Sequence, residues 1–222
     1  HPPLFLRPAS PQKRTSAGAP LDRTRLSWWD VAMIAEPLLR GPRVVVRRAT
    51  ADDVGAIVAF YTANEDHLRA TVPKRPEGFA TEDFWRDRLA FDEADYHLGR
   101  LVSMFVFDPD ANPRRNIIGT VNFSNIVRGV FQACKLGYSI GAAHEGKGLM
   151  YESLTLAIDY AFAKLNLHRI MANYMPGNRR SAQLLARLGF VPEGYARDYV
   201  QIAGRWQDHV LTALTNPNWT ET

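Results

Sequence analysis

The chain is predicted to be one mixed α+β domain. Its sheet is mostly antiparallel, of about seven strands, with a splayed parallel central pair and flanking helices. Three observations lead there. From Arg43 onward, strand-like runs and helix-like stripes alternate in the order β-α-α-β-β-β-α-β-α-β-β. Within that order, the unit of strand, turn, helix and strand between Ala133 and Met175 must cross over, which makes its two strands parallel. With 222 residues and 46% hydrophobic content, the chain is long enough for a single core. A parallel pair flanked by helices can splay at one end, leaving strand hydrogen-bonding groups open to an extended ligand.

The elements follow in order. Residues 1–20 hold five prolines among charged and small residues and read as a disordered leader that extends to 42. Residues 27–39 read as one short amphipathic helix. Val44-Val45-Val46-Arg47 reads as a strand, and Ala51-Asp52-Asp53 starts a helix with Ile57, Phe60 and Tyr61 inward. Residues 65–79 carry Pro73 and Pro76 and read as irregular. Thr81 is placed to cap a helix that runs to about Glu93. Strands at 101–107 and 116–126 flank a hairpin loop rich in Asp, Asn and Pro. Residues 133–140 make the fourth strand. A helix from Leu149 to about Leu165 aligns Leu154, Ile158, Ala161 and Leu165 on one face. Residues 169–175 make the fifth strand. Asn178 caps a helix ending at Leu188, and Gly189 supplies its left-handed end. Strands at about 194–202 and 206–214 meet at Ala203-Gly204-Arg205. The organisation is thus a leader (1–42), one domain (43–219) and a short tail (220–222).

Composition narrows the function. Net charge is +4, and residues 1–42 carry six Arg/Lys against three Asp/Glu, so the body is nearly neutral. Bulk charge therefore does not point to nucleic acid, and RNA contact is expected only through the leader. The single cysteine, Cys134, excludes an intramolecular disulfide and suggests a reducing, cytoplasmic setting. No stretch is long and apolar enough to span a membrane. The six histidines show no metal-ligand spacing, so no metal is expected. His168 and His209 fall within strand patterns and read as structural.

The most informative stretch is Glu145-Gly146-Lys147-Gly148-Leu149-Met150, between a strand and a helix. Glycines at such a turn let the backbone approach a polyanion, and the amides of the next helical turn point at it. A pyrophosphate suits that site, as in acetyl-coenzyme A (acetyl-CoA). There is no Gly-Lys-Ser/Thr loop and no Gly-x-Gly-x-x-Gly opening a βαβ unit, which argues against an NTPase or a dinucleotide enzyme.

Several segments together resemble the GNAT superfamily of N-acetyltransferases, and within it the RimJ-type N-terminal acetyltransferases of bacterial ribosomal proteins. They are Gly119-Thr120-Val121-Asn122-Phe123, Leu136-Gly137-Tyr138-Ser139-Ile140-Gly141, Gly146-Lys147-Gly148-Leu149-Met150, His168-Arg169-Ile170-Met171-Ala172-Asn173-Tyr174, Leu185-Ala186-Arg187-Leu188-Gly189-Phe190, Glu193-Gly194-Tyr195 and Asp208-His209-Val210-Leu211-Thr212. The resemblance covers about 43–219. It implies the acyl-CoA N-acyltransferase fold, acetyl-CoA as cosubstrate, and the N-terminus of a ribosomal protein as acceptor. The N-terminal alanine of small-subunit protein number five is the leading acceptor, and the assembling small subunit is a further partner.

For the cofactor site, the resemblance implies Leu136 to Ile140 along the fourth strand, Gly146 to Met150 at the turn, and Asn178, Leu185 and Arg187 on the following helix. It places Asn64, Glu65, Asp66 and His67 at the acceptor. Two departures stand out. Glu145 occupies a place usually held by Gln or Arg and is expected to turn outward, while Lys147 either assists or stays solvated. Leu185 stands where many relatives have a tyrosine that protonates the leaving thiolate. The resemblance moves that role to Ser181, whose rival role is in local helix-end hydrogen bonding.

The general base stays open among Glu193, Asp198, Glu65 and Asp66, with Tyr199 a relay. A peptide α-amine with pKa near 8 costs about 1.4 kcal/mol to deprotonate at pH 7, against about 4.6 for a lysine amine. A weak base therefore suffices for an N-terminal amine. A small amine such as an antibiotic or polyamine remains the alternative acceptor, and a ribosome-assembly role with secondary catalysis is the third reading.

Overall fold

The computed structural model describes residues 37–221. The leader as far as residue 36, and with it most of the helix expected over 27–39, lies outside the described residues. The end of that segment departs from expectation. Leu38–Arg40 is a strand, β1, paired antiparallel with β2 (Val45–Arg47). The sheet therefore has eight strands, not about seven. Three residues are too few to show an alternating pattern, and their strand state comes from the partner beside them.

The other strands are β3 (Val102–Phe107), β4 (Ile117–Val127), β5 (Ala133–Ile140), β6 (Arg169–Tyr174), β7 (Val191–Ile202) and β8 (Arg205–Thr215). Their spatial order is β1-β2-β3-β4-β5-β6-β8-β7, and all pairs are antiparallel except β5 with β6. The helices are α1 (Val54–Ala63), α2 (Glu65–Arg69), α3 (Glu82–His97), α4 (Leu149–Ala163) and α5 (Arg179–Arg187). The short α2 corrects the expectation of irregular chain, since both prolines fall beyond its end.

The core lies on both sides of the sheet. Along β3, Val102, Met104 and Val106 join one cluster while Phe105 and Phe107 join the other, as the two-residue pleat requires. The first cluster takes Leu154, Ala157, Ile158 and Ala161 from α4 and Leu185 from α5. The second takes Ile57 and Phe60 from α1 and Trp85 from α3. Cys134 is buried in β5, and burial pushes its thiol up to about 12.

Local signals act where the sequence places them. Thr81 Oγ1 accepts the Phe84 amide, Asn178 Oδ1 accepts the Ser181 amide, and Gly189 ends α5 with φ +87°.

The site is set up by an interruption in the sheet. β5 and β6 pair only from Ala133↔Arg169 to Lys135↔Met171. Beyond that, β5 stays bound to β4 as far as Ile140↔Gly119, and β6 stays bound to β8 as far as Tyr174↔Val210. The two strands are held from outside and diverge, so their facing backbone groups are left without strand partners.

Candidate active site

A cleft of about 640 Å³ opens where β5 and β6 part. That is a suitable size for a ligand of cofactor class. Leu136 to Ile140 line one wall, and Asn173, Tyr174 and Met175 line the other. His144 to Tyr151, except Lys147, form one end, and residues of α5 close it over Arg180, Ser181 and Arg187.

The turn at Gly146 has the geometry of an anion cradle. Gly146 and Gly148 have φ of +71° and +75°, and a Cβ built on Gly146 meets nothing within 4 Å. α4 begins at Gly148 with no side-chain cap, although α3 and α5 are both capped by side chains. Its first amides are therefore free to bind an anion. Arg43 braces this turn from behind. Its Nη1 donates to the Lys147 carbonyl at 2.9 Å, and its Nε pairs with Glu152 at 2.8 Å. These residues fit the pyrophosphate of an acyl-CoA.

Glu145 does not turn outward as expected. Its side chain is only partly exposed and is ion-paired with Arg180 across the cleft mouth, with His67 Nε2 3.6 Å away. His67 also reaches the Ile140 carbonyl, at 3.2 Å. The pairing offsets the charge that would oppose a phosphate. Glu145 is the one carboxylate in the lining among the described residues, against Arg180 and Arg187. Burial, with Lys147 beside it, lowers the pKa of His144 at the same end.

Two cofactor candidates fall outside the cleft. Lys147 is exposed and contributes its carbonyl to Arg43. Leu185 is 1% exposed within the core, because the inner face of α5 turns it into the sheet; its neighbour Leu184 lines the cleft. Asn178 and Arg187 do reach it, and the Arg187 guanidinium lies over the Tyr151 ring at 4.1 Å.

At the acceptor end, only His67 of the four candidates lines the cleft. Asn64 instead holds the approach to the glycine turn, accepting the Ala142 amide at 2.9 Å. Glu65 and Asp66 are exposed and pair with Arg69 one turn on. A helix rather than an irregular loop forms there, and it points these two carboxylates at solvent.

Ser181 lies in the cleft, and its hydroxyl is 2.5 Å from the Tyr138 hydroxyl. Glu193 and Asp198 do not. Glu193 is tied to Arg169 outside the lining. Asp198 is exposed at a bulge in β7 with φ +47°, its amide donating to Asp208. His209, read from the sequence as structural, is 7% exposed and lines the cleft. Its Nδ1 is 3.0 Å from the Gln207 carbonyl. A carbonyl only accepts, so Nδ1 carries a proton, and in the neutral imidazole the lone pair is then on Nε2. Sequence reasoning missed Arg180 and the pairing of Tyr138, one of its cofactor-site candidates, with Ser181; only the approach of these side chains to Glu145 and Ser181 in three dimensions reveals the contacts.

A parted parallel pair, an uncapped helix behind a two-glycine turn, and a hydroxyl at the strand opening define a transferase that uses an acyl-CoA. Residues 43–191 match the acetyltransferase (GNAT) domain model. The chain belongs to that family and is an N-acetyltransferase. It is 49% identical over 178 residues to the [ribosomal protein uS5]-alanine N-acetyltransferase of Escherichia coli, covering 80% of this chain and 90% of that one. The structure of ribosomal-protein-S5-alanine acetyltransferase from Vibrio fischeri superposes with a TM-score of 0.79 at 37% identity, covering 84% of this chain and all of that one. The fold is also that of Mycobacterium smegmatis RimJ, solved in complex with CoA-disulfide (TM-score 0.74, 24% identity, 84% of this chain and 90% of that one). No helix among the described residues is long and apolar enough to cross a membrane. No group of three or more His, Cys, Asp or Glu among them is placed to hold a metal ion.

Proposed function

We propose that this chain acetylates the N-terminal α-amine of a ribosomal protein, with the alanine that opens small-subunit protein uS5 as acceptor and acetyl-CoA as donor. The observation that carries the acceptor is the 49% identity with the Escherichia coli enzyme over 178 residues. The electrostatics of the cleft agree. A polyamine calls for free carboxylates, and the one carboxylate in the described lining, Glu145, is already engaged by Arg180. This disfavours the small-amine alternative.

Acetyl-CoA supplies an activated acetyl thioester. The amides around Gly146 to Met150 hold its pyrophosphate, Arg180 neutralises Glu145, and Arg187 offsets the phosphate charge. The free backbone edge of Leu136 to Ile140 holds the pantetheine arm and the developing oxyanion. Ser181 gives a proton to the departing sulfur. His209 takes the amine proton at Nε2, directly or through one water, in place of Glu193 and Asp198. The reaction belongs to the cytoplasm, where ribosomal subunits are assembled. The segment 1–42 carries any contact with ribosomal RNA, and loss of ribosome association without loss of turnover on its removal is the expected sign of that role.

The test is mass spectrometry of ribosomal protein N-termini incubated with acetyl-CoA and the protein. A gain of one acetyl group on uS5 is expected. An unmodified uS5 beside an acetylated polyamine control overturns the assignment.

A further inference from the structure

Hydroxyls inside helices commonly bond back to the carbonyl four residues earlier. Two hydroxyls of α4 do so here: Ser153 donates to Leu149 at 2.8 Å and Thr155 to Tyr151 at 2.9 Å. Ser181 does not. Its amide is taken by the Asn178 cap, while its hydroxyl reaches across the cleft to the Tyr138 phenol on β5. The two groups come from opposite walls and meet where the strands open.

The direction of that bond follows from acidity. A phenol is the better donor and an aliphatic hydroxyl the better acceptor. Burial pushes the Tyr138 phenol up to about 12, so it stays protonated. With the phenol donating to Ser181 Oγ, the serine proton must point elsewhere.

We propose that Tyr138 is a positioning residue for the acetyl transfer: its phenol donates to Ser181 Oγ and leaves the serine proton aimed at the departing sulfur. This rests on the reading that the cleft holds acetyl-CoA. As the amine nitrogen bonds to the acetyl carbon, the carbon–sulfur bond breaks and sulfur keeps the electron pair. Sulfur takes the Ser181 proton, and the serine oxygen is reloaded in the same step from solvent, while the amine proton goes to His209, which returns it to solvent. Because Oγ is reloaded as it gives up its proton, no alkoxide forms to draw the phenol proton, and Tyr138 keeps it. On balance one proton leaves the amine and one reaches sulfur, and nothing is oxidised or reduced. Without the phenol, the Ser181 hydroxyl is free to rotate away from the sulfur.

The experiment titrates the thiol of bound coenzyme A by its ultraviolet thiolate absorbance, in the wild type, Tyr138→Phe, Ser181→Ala, the double variant and Ser181→Thr. Binding to the wild type is expected to lower the thiol pKa. Tyr138→Phe and Ser181→Ala should abolish that lowering to the same extent, the double variant should match either single one, and Ser181→Thr should retain it. In turnover, Tyr138→Phe should lose roughly tenfold in kcat, with KM for acetyl-CoA within twofold and an unchanged melting temperature. Wild-type titration and kcat in Tyr138→Phe, or losses that multiply in the double variant, overturn the proposal. Coenzyme A that fails to bind the wild type overturns this inference and the proposed cosubstrate together. If coenzyme A binds but uS5 is not acetylated, only the acceptor assignment falls, and the thiol titration still decides the role of Tyr138.

Discussion

Replacing Gly146 by valine separates the strain of the glycine turn from its use as a cradle. At φ +71°, a side chain costs about 1–2 kcal/mol of backbone strain. For a domain of this size, that lowers Tm by roughly 2–8 °C. The new side chain meets no protein atom within 4 Å of its Cβ, so it adds no clash to the ligand-free fold. On the proposed reading, it projects into the space where phosphates approach the amides. Losing one charge-assisted hydrogen bond there costs about 1.5–3 kcal/mol, or roughly 10- to 100-fold in Kd. Gly204 provides a matched control, with φ +80° and nothing within 4 Å of a built Cβ, in the β7–β8 turn and outside the cleft lining. Calorimetric titration with coenzyme A should show weakened binding for Gly146→Val and unchanged binding for Gly204→Val, with similar losses in Tm. A Kd within twofold of wild type for Gly146→Val, or equal weakening by both variants, refutes the cradle.

Three further outcomes are expected. Ser181→Ala should lower kcat by 10-fold or more with little change in acetyl-CoA affinity; an undiminished kcat removes Ser181 from the mechanism. His209→Asn keeps a donor toward the Gln207 carbonyl but removes the second ring nitrogen, and should lower kcat by roughly 10²-fold; steady-state turnover equal to wild type would return the base to another group. Asp53 is partly desolvated, which raises its pKa, but Arg47 at 2.8 Å and Thr50 outweigh this and hold it below the usual carboxylate range. Its stabilisation is therefore present above about pH 4 and is lost as pH falls through the lowered value. Asp53→Asn should cost about 1–3 kcal/mol at pH 7, and the gap in urea unfolding between variant and wild type should close in acid. A gap that widens in acid contradicts the assignment.

Much of this architecture was legible because its signals are local. Thr81 and Asn178 each act on an amide three residues ahead. Gly189 ends a helix by its own backbone freedom, and Gly146 and Gly148 mark a turn that few other residues tolerate. The apolar stripe of α4, from Leu154 to Ala161, faces one way because a helix repeats every 3.6 residues. Signals that act across one or two turns survive in the linear order, and they were enough to place the two-glycine turn and most of the succession of elements from Val44 onward.

The rest depends on partners far apart in the chain. Leu38–Arg40 is a strand only because Val45–Arg47 lies beside it. Glu145 meets Arg180 over 35 positions, and Tyr138 meets Ser181 over 43. Glu193 was drawn to Arg169, and a bulge in β7 carried Asp198 out to solvent. By itself the sequence determined where most segments from Val44 onward coil, extend or turn, because hydrogen bonding and sterics among near neighbours settle those choices. Tertiary packing alone decided which side chains face one another across the opening between β5 and β6, because strand register and helix docking are set by the burial of whole faces.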